Sequence, residues 1–323
     1  MIHRHLALAF ATSALVFGAV APASAAFPDK PVRIVIGFPP GTATDVATRI
    51  IAARMSEILG EQVVVDNKPG AGTNIAASAV ARSDPDGYTL FMAGNSNSVN
   101  QTLMPSVPFD FFKDFAPVGM AVTVPSILVV TPSLGVSSVA QLIDVVKQRP
   151  GKVFFASSGI GATSHLSGEL FGMTTGAKMT HVPYKGSSQV MTDLLAGSVQ
   201  VMFAPASTVL PYIKEGKLTA LATTGNERSR IAPDLPTVAE AGVKDYDTRI
   251  WFGPVAPAKT PQAVIGTLAA ALDKALDSQD VKDQLAAQGI EPFKGDAARF
   301  SAYMASEMKK WAEVIKASGI TLQ

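Results

Sequence analysis

Residues 32–49 read VRIVIGFPPGTATDVATR. Val32, Ile34 and Ile36 alternate with Arg33, Val35 and Gly37, the period of a strand entering a core. Phe38-Pro39-Pro40-Gly41 ends that strand, because proline has no N–H for a ladder and glycine accepts the positive φ of a tight turn. Thr42, Thr44 and Asp45 then supply capping oxygens, and the spacing predicts a helix from Val46 to Leu59. The strand would thus deliver a helix N-terminus, with its unpaired N–H groups, to its own carboxyl end. That arrangement suits an anion held by backbone. Taken alone, the stretch also fits an ordinary capped βα turn.

The same alternation continues outward. Strands are expected at Gln62–Val65, Tyr88–Ala93, Val153–Ala156, His181–Tyr184, Val199–Ala204 and Leu218–Thr223, with helical patterns between most of them. This predicts an α/β fold with mostly parallel sheet. Gly94-Asn95-Ser96-Asn97-Ser98 falls at a strand's carboxyl end, the edge where ligands gather in open α/β sheets. Val118–Val130 is a long apolar run broken by Pro125, suited to a strand passing between domains with a change of pairing at the proline. Ile250–Ala256 would carry the chain back. Phe300, Met304, Met308, Trp311 and Ile315 form one helical stripe, expected to pack in a core. The chain therefore leaves its first domain once and returns once, and the cleft between the two is the place for a small ligand.

Composition narrows the class. Met1-Ile2-His3-Arg4, the apolar run Leu6–Val20 and Ala23-Ser24-Ala25 read as an export leader cut after Ala25. Removing 1–25 takes away Arg4 and no acid, so the 27 cations and 26 acids of the full chain balance at 26 each. No basic stripe appears, so nucleic acid is not an expected partner. There is no cysteine, hence no disulfide, thiol chemistry or lipoprotein anchor. With 47% hydrophobic and 16% charged residues, 323 residues suffice for two packed domains. An exported, monomeric protein is expected.

A second small, polar βα turn occurs at Ser157-Ser158-Gly159-Ile160-Gly161-Ala162-Thr163-Ser164. It resembles the start of a dinucleotide fingerprint but lacks the third glycine, and Thr180-His181-Val182 stands where an acid should close the next strand. A backbone anion site is the better functional reading. His165 and His181 are the only histidines beyond the leader; each is expected to be structural, although either could serve as a base in an exported enzyme. No G-x-S-x-G elbow, H-E-x-x-H or Cys/His spacing offers a nucleophile or a metal site, and no cofactor is expected. Asp45 should face its own backbone, because a carboxylate beside a bound anion would repel it. Asp193 is expected to be solvated or paired.

Several stretches together carry a family resemblance: FPDKPVRIVIGFPPGTATD (27–45), VVVDNKPGAGTNIAASAVARSDPDGYTL (63–90), FASSGIGATSHLSGELF (155–171), HVPYKGSSQVMTDLLAGSVQVMF (181–203) and WFGPVAPAKTPQAVI (251–265). They are similar, in order, to the Bug receptors, the solute-binding proteins of tripartite tricarboxylate transporters. The resemblance implies a two-lobed type II periplasmic-binding-protein fold, each lobe a mostly parallel sheet flanked by helices, with a hinge of two crossing strands. It places lobe 1 in 26–124 and 251–323 and lobe 2 in 125–250. It implies a periplasmic protein, not an enzyme, that captures a small aliphatic, aromatic or amino-acid carboxylate for partner membrane subunits. A ligand-sensing adaptor for a membrane signalling protein would use the same cleft.

Carried over residue by residue, the ligand-binding set is Phe38, Gly41, Thr42, Ala43, Thr44 and Asp45 in the first turn and Ser158, Gly161, Ala162 and Thr163 in the second. Phe38, Asn95, Ser96, Tyr184 and Ala204 are expected to read the rest of the ligand. Three departures from the family pattern bear on the site, one being Asn95-Ser96-Asn97-Ser98 after the third strand, where many members have Gly-Thr-His. Thr42 stands where a second glycine is usual, so the loop could differ and its hydroxyl would add a donor. Ala204 stands where relatives often carry a polar residue, which points to a less polar distal pocket.

Overall fold

The computed structural model describes residues 27–104 and 106–322; the leader and its cleavage site at Ala25 lie outside them. In chain order the first half comprises β1 (Val32–Ile36), α1 (Ala43–Leu59), β2 (Val63–Asn67), α2 (Asn74–Ala81), β3 (Thr89–Gly94), α3 (Asn95–Leu103), β4 (Phe115–Pro117) and β5 (Met120–Val124). A second unit follows: β6 (Ser126–Val130), α4 (Val139–Gln148), β7 (Phe154–Ser157), α5 (Thr163–Thr175), β8 (Thr180–Pro183), α6 (Ser187–Ala196), β9 (Val201–Pro205), α7 (Ala206–Lys214) and β10 (Thr219–Thr223). The chain then returns through β11 (Ile250–Pro257), α8 (Gln262–Asp277), α9 (Gln279–Ala287), β12 (Glu291–Gly295) and α10 (Ala297–Ser318).

The first sheet runs β12-β5-β11-β3-β1-β2, with β4 beside β11; the second runs β10-β6-β9-β7-β8. The α/β architecture is as the sequence predicts, but the sheets are mixed rather than mostly parallel. β1 pairs in parallel with β2 and β3, and β7 with β8 and β9. β11 runs antiparallel to β3 and β5, and β6 antiparallel to β9 and β10. The antiparallel members include the strands that arrive from the other sheet, which enter without a βα crossover to set their direction. β1 departs from simple alternation in one respect: Val35 is buried along with Ile34 and Ile36. Ile34 and Ile36 face a core shared with α1 and α8, and Val35 faces a second core with α2 and Phe91. A strand covered on both faces reads as a continuous apolar run.

Pro125 divides the long apolar run between the two sheets. β5 ends at Val124 and β6 begins at Ser126, and the Pro125 carbonyl accepts from the Ala206 amide at 2.8 Å. The return passes beside it, with Ile250 of β11 directly opposite Val124. Thr224 and Thr248 brace that return: the Thr248 amide donates to the Thr224 carbonyl at 2.9 Å, and the Thr224 hydroxyl donates to the Thr248 carbonyl at 2.6 Å. Two adjacent strands thus connect the sheets.

The stripe on α10 is core, as expected, and serves two cores. Phe300 and Met304 pack on the first sheet, with Met308 at its margin. Trp311, Val314 and Ile315 pack with Val99 and Leu103 of α3 and Leu166 of α5, so this cluster sews helices of the two sheets together. Trp311 is fully buried and its Nε1 donates to Glu307 at 2.9 Å. Trp311→Ala should lower the unfolding free energy by about 3–5 kcal/mol. A urea unfolding curve showing a loss under about 1 kcal/mol would mean that this seam contributes little.

Candidate functional site at the strand ends

The two turns picked out from sequence are built alike. Gly41 and Gly161 both adopt positive φ, +82° and +76°, and each donates its amide to the side chain four residues on. Gly41 N–H reaches Asp45 Oδ2 at 2.9 Å, and Gly161 N–H reaches His165 Nδ1 at 3.1 Å. The N-cap residues Thr42 and Ala162 are both extended, at φ/ψ −75/161° and −63/154°. Each turn therefore satisfies its own glycine amide within itself. The leading amides of the helix that follows are left, and a helix has no internal partner for them. In α1 the Asp45 amide goes to the Thr42 hydroxyl and the Val46 amide to the Thr42 carbonyl. Ala43 and Thr44 precede these, and Thr163 and Ser164 are their counterparts in α5.

Those four residues line one cavity of about 390 Å³, within the range of small-molecule sites. Phe38, Thr42, Asn95, Ser96, Ser158 and Ala162 from the predicted set also line it. So a third helix start, that of α3, joins the other two. The wall is completed by Ser126, Met202, Phe203, Pro205, Ile250 and Phe252. No charged side chain among the described residues lines it. The second turn presses on the opposite half of the molecule: a Cβ at Gly161 would lie 2.4 Å from Leu103 of α3. The cavity therefore lies between the two sheets.

The remaining predicted residues lie behind the wall. Gly41 and Gly161 spend their amides inside the turns. Asp45 faces away from the cavity, as its charge requires, and is bonded to Arg49 (3.0 Å) and Asn67 (2.9 Å). Burial alone would raise its carboxyl, but these partners and the Gly41 amide hold it below the usual range. Thr42 fits its position without strain. However, its hydroxyl donates to the Pro39 carbonyl at 2.9 Å, so the extra donor expected there is already used.

Tyr184 stands off the cavity, its hydroxyl donating to Asp193 at 2.6 Å. Ala204 is fully buried in the core beneath β9, and its methyl does not reach the cleft. Met202 and Phe203 border the cavity, although both are as fully buried as Ala204. Asn95 does line the cavity, but its amide is committed to the return strand. Nδ2 donates to the Arg249 carbonyl at 2.7 Å, and Oδ1 accepts from the Trp251 amide at 2.8 Å.

Neither histidine reaches the cavity. His165 is buried and stacks on His181, with ring centroids 3.7 Å apart. His181 Nε2 pairs with the Ser157 hydroxyl at 2.6 Å. Together they prop the second turn from beneath. A second cavity, about 90 Å³, shares Ser126 and is lined by Glu227, Arg249 and Glu291; it has room for a few waters. Among the described residues no group of three or more acidic or histidine side chains could hold a metal ion.

Two α/β lobes joined by paired strands, with a cavity between them at the strands' carboxyl ends, define a binding protein of the type II periplasmic class. The chain matches the "Tripartite tricarboxylate transporter family receptor" over residues 47–320. It is 38% identical over 309 residues to Protein BugT of Bordetella pertussis, covering 95% of each chain. Among solved structures it is similar to R. palustris Rpa4515 with adipate, at TM-score 0.76 and 38% identity over 91% of this chain and 99% of that one. It is also similar to periplasmic binding protein BugD, at TM-score 0.73 and 32% identity over 92% and 100%. MatC from Rhodopseudomonas palustris with bound malate aligns at TM-score 0.72 and 29% identity over 90% and 100%. The chain belongs to the tripartite tricarboxylate transporter receptor family, whose members are extracytoplasmic solute-binding proteins.

Thr163 is the first residue of α5, where proline fits, and Ala162 already has the extended geometry that proline imposes on its predecessor. Thr163→Pro therefore removes one amide while sparing the fold. It should weaken an anionic ligand about tenfold or more, the worth of one charge-assisted bond. Thr163→Val, which keeps the amide, should bind more tightly than Thr163→Pro; equal affinities by titration calorimetry would discount the amide.

His181 supplies a pH dependence. The free ring takes a proton below about pH 6.5. Burial, and then the stacked His165, lower the His181 value to about 4. The unfolded state thus binds more protons between these values, and stability should fall as pH drops from about 6.5 towards 4. His181→Gln should flatten that part of a stability–pH profile.

Proposed function

We propose that this protein is a receptor that captures a small carboxylate between lobe 1 (26–124 and 251–323) and lobe 2 (125–250) and passes it to the membrane subunits of a tripartite transporter. The observation that carries the reading is the cavity itself: uncharged, and ringed by the starts of α1, α3 and α5. Ala43, Thr44, Thr163 and Ser164 amides grip the carboxylate, and the Ser158 and Ser126 hydroxyls complete the set. The adipate and malate held by relatives of known structure support this ligand class. The leader read at 1–25 supports export, and the family supports the membrane partners.

The energetics are adequate. Four or five charge-assisted bonds contribute about 1.5–3 kcal/mol each, a gross of roughly 6–15 kcal/mol. Lost ligand and hinge freedom reduce this to the micromolar range, about −8 kcal/mol. The histidines, committed beneath the second turn, do not line the cavity.

A thermal-shift and calorimetric screen over aliphatic, aromatic and amino-acid carboxylates tests this. One-to-one binding is expected, with stabilisation of about 2.7 kcal/mol at a hundredfold excess over Kd. No stabilisation by any carboxylate, or turnover of the bound acid seen by NMR, would reject the receptor reading.

A further inference from the structure

We infer that the ligand carries a single carboxylate on an apolar body, and that the site disfavours diacids. The inference rests on the carboxylate-receptor reading above and narrows it to one class of acid.

Charge complementarity comes first. Among the described residues no Lys or Arg lines the cavity, so its positive potential comes from helix starts. Each start is equivalent to roughly half an elementary charge. The opposed starts of α1 and α5 together balance about one negative charge, which is one carboxylate.

The third start is not equivalent to these two. Asn95, the first residue of α3, has both halves of its amide bonded to Arg249 and Trp251. Behind it lies Glu307, a carboxylate only 1% exposed. Glu307 Oε2 is 3.5 Å from Asn95 Nδ2 and also accepts from Trp251 Nε1 at 3.1 Å and Trp311 Nε1 at 2.9 Å. Lys310 pairs with its other oxygen and offsets part of that charge. A second anion at the α3 start would have one amide side chain between it and a buried negative charge. Like charges so placed disfavour each other.

The rest of the wall decides what the remainder of the ligand is. Phe38, Ile250 and Phe252 offer no donor to a second carboxylate, and burying one against them unpaired is costly. The same side chains reward hydrocarbon. Phe38 and Phe252 meet edge to face, with centroids 6.2 Å apart, and so form a continuous aromatic surface. A neutral polar group is still accommodated at the Ser96 hydroxyl.

The test compares matched ligands on the wild-type protein by calorimetry at pH 7.5, where both carboxyls of a diacid are ionised. The ligands are adipate, its monomethyl ester, hexanoate and phenylacetate, with butanoate and pentanoate as a length series. The monoester should bind at least tenfold tighter than adipate, and each methylene from butanoate to hexanoate should improve Kd about fourfold. Adipate binding as tightly as its monoester, or an affinity independent of chain length, would overturn the inference and leave the receptor reading standing. If none of these acids bound, the inference would fall, and the receptor reading would fall with it only if the wider carboxylate screen were also silent.

Discussion

An α-helix cannot satisfy its own first amides, and in this protein two helices begin with that deficit facing one shared space. Everything around the cavity follows from managing it. Each turn contains a glycine at positive φ whose N–H would also be left over, and each supplies an acceptor for it from the helix: Asp45 in one, His165 in the other. An aspartate and a histidine thus perform one task, which is to take the turn's own amide out of play and fix its shape. What remains available is the pair of helical amides ahead of them. A site assembled this way is rigid without any side chain having to point at the ligand, so it recognises charge and geometry before it recognises identity.

Holding two such turns in opposition requires a fixed frame, which polar groups in the interior provide. Asn95 clamps the return strand on both sides of its amide, and Glu307 ties that strand's Trp251 to Trp311 on α10. A buried carboxylate is costly unless every oxygen is engaged, and here the two indoles, the asparagine and Lys310 engage both. The same Trp311 belongs to the apolar seam between α3, α5 and α10. The joint between the lobes is therefore braced from one side by polar bonds and from the other by packing, while the cavity side stays uncommitted.

Much of this was legible in the sequence, because turn chemistry is local. Pro-Gly followed by Thr and Asp, and Gly-Ile-Gly followed by small residues, state their backbone requirements in a few positions, and both turns fell where expected. Two kinds of information were not local. Residues 95–103 were not anticipated as a helix, since Asn95-Ser96-Asn97-Ser98 has no helical apolar period. They are helical because Asn97 accepts from the Gly94 amide and because Val99 and Leu103 pack against Trp311, more than 200 positions away in the chain. The cavity wall was hidden for the opposite reason. Met202, Phe203, Ile250 and Phe252 are indistinguishable in composition from the core residues beside them, and only the arrangement of strand ends selects them over Ala204 and Tyr184. The mixed sheets escaped a reading built on strand–helix alternation, because β6 and β11 arrive across the hinge.

The absence of a cation among the described residues of the cavity wall has a functional logic. A lysine or arginine on one lobe would bind an anion strongly whether or not the other lobe were near, and the open form would hold ligand almost as well as the closed one. Helix starts act differently, because α1 and α5 belong to different sheets, and were the lobes to part an anion would keep the amides of only one of them. Ligand binding then differs between the two states by what the second turn adds. Two or three bonds of about 1.5–3 kcal/mol supply roughly 3–9 kcal/mol. Driving an equilibrium from 1:99 open-favoured to 99:1 closed takes about 5.5 kcal/mol of differential affinity. The proposed clamp falls in that range, so occupancy would bias the protein towards the closed form. A stronger, cationic grip would weaken that bias and slow release.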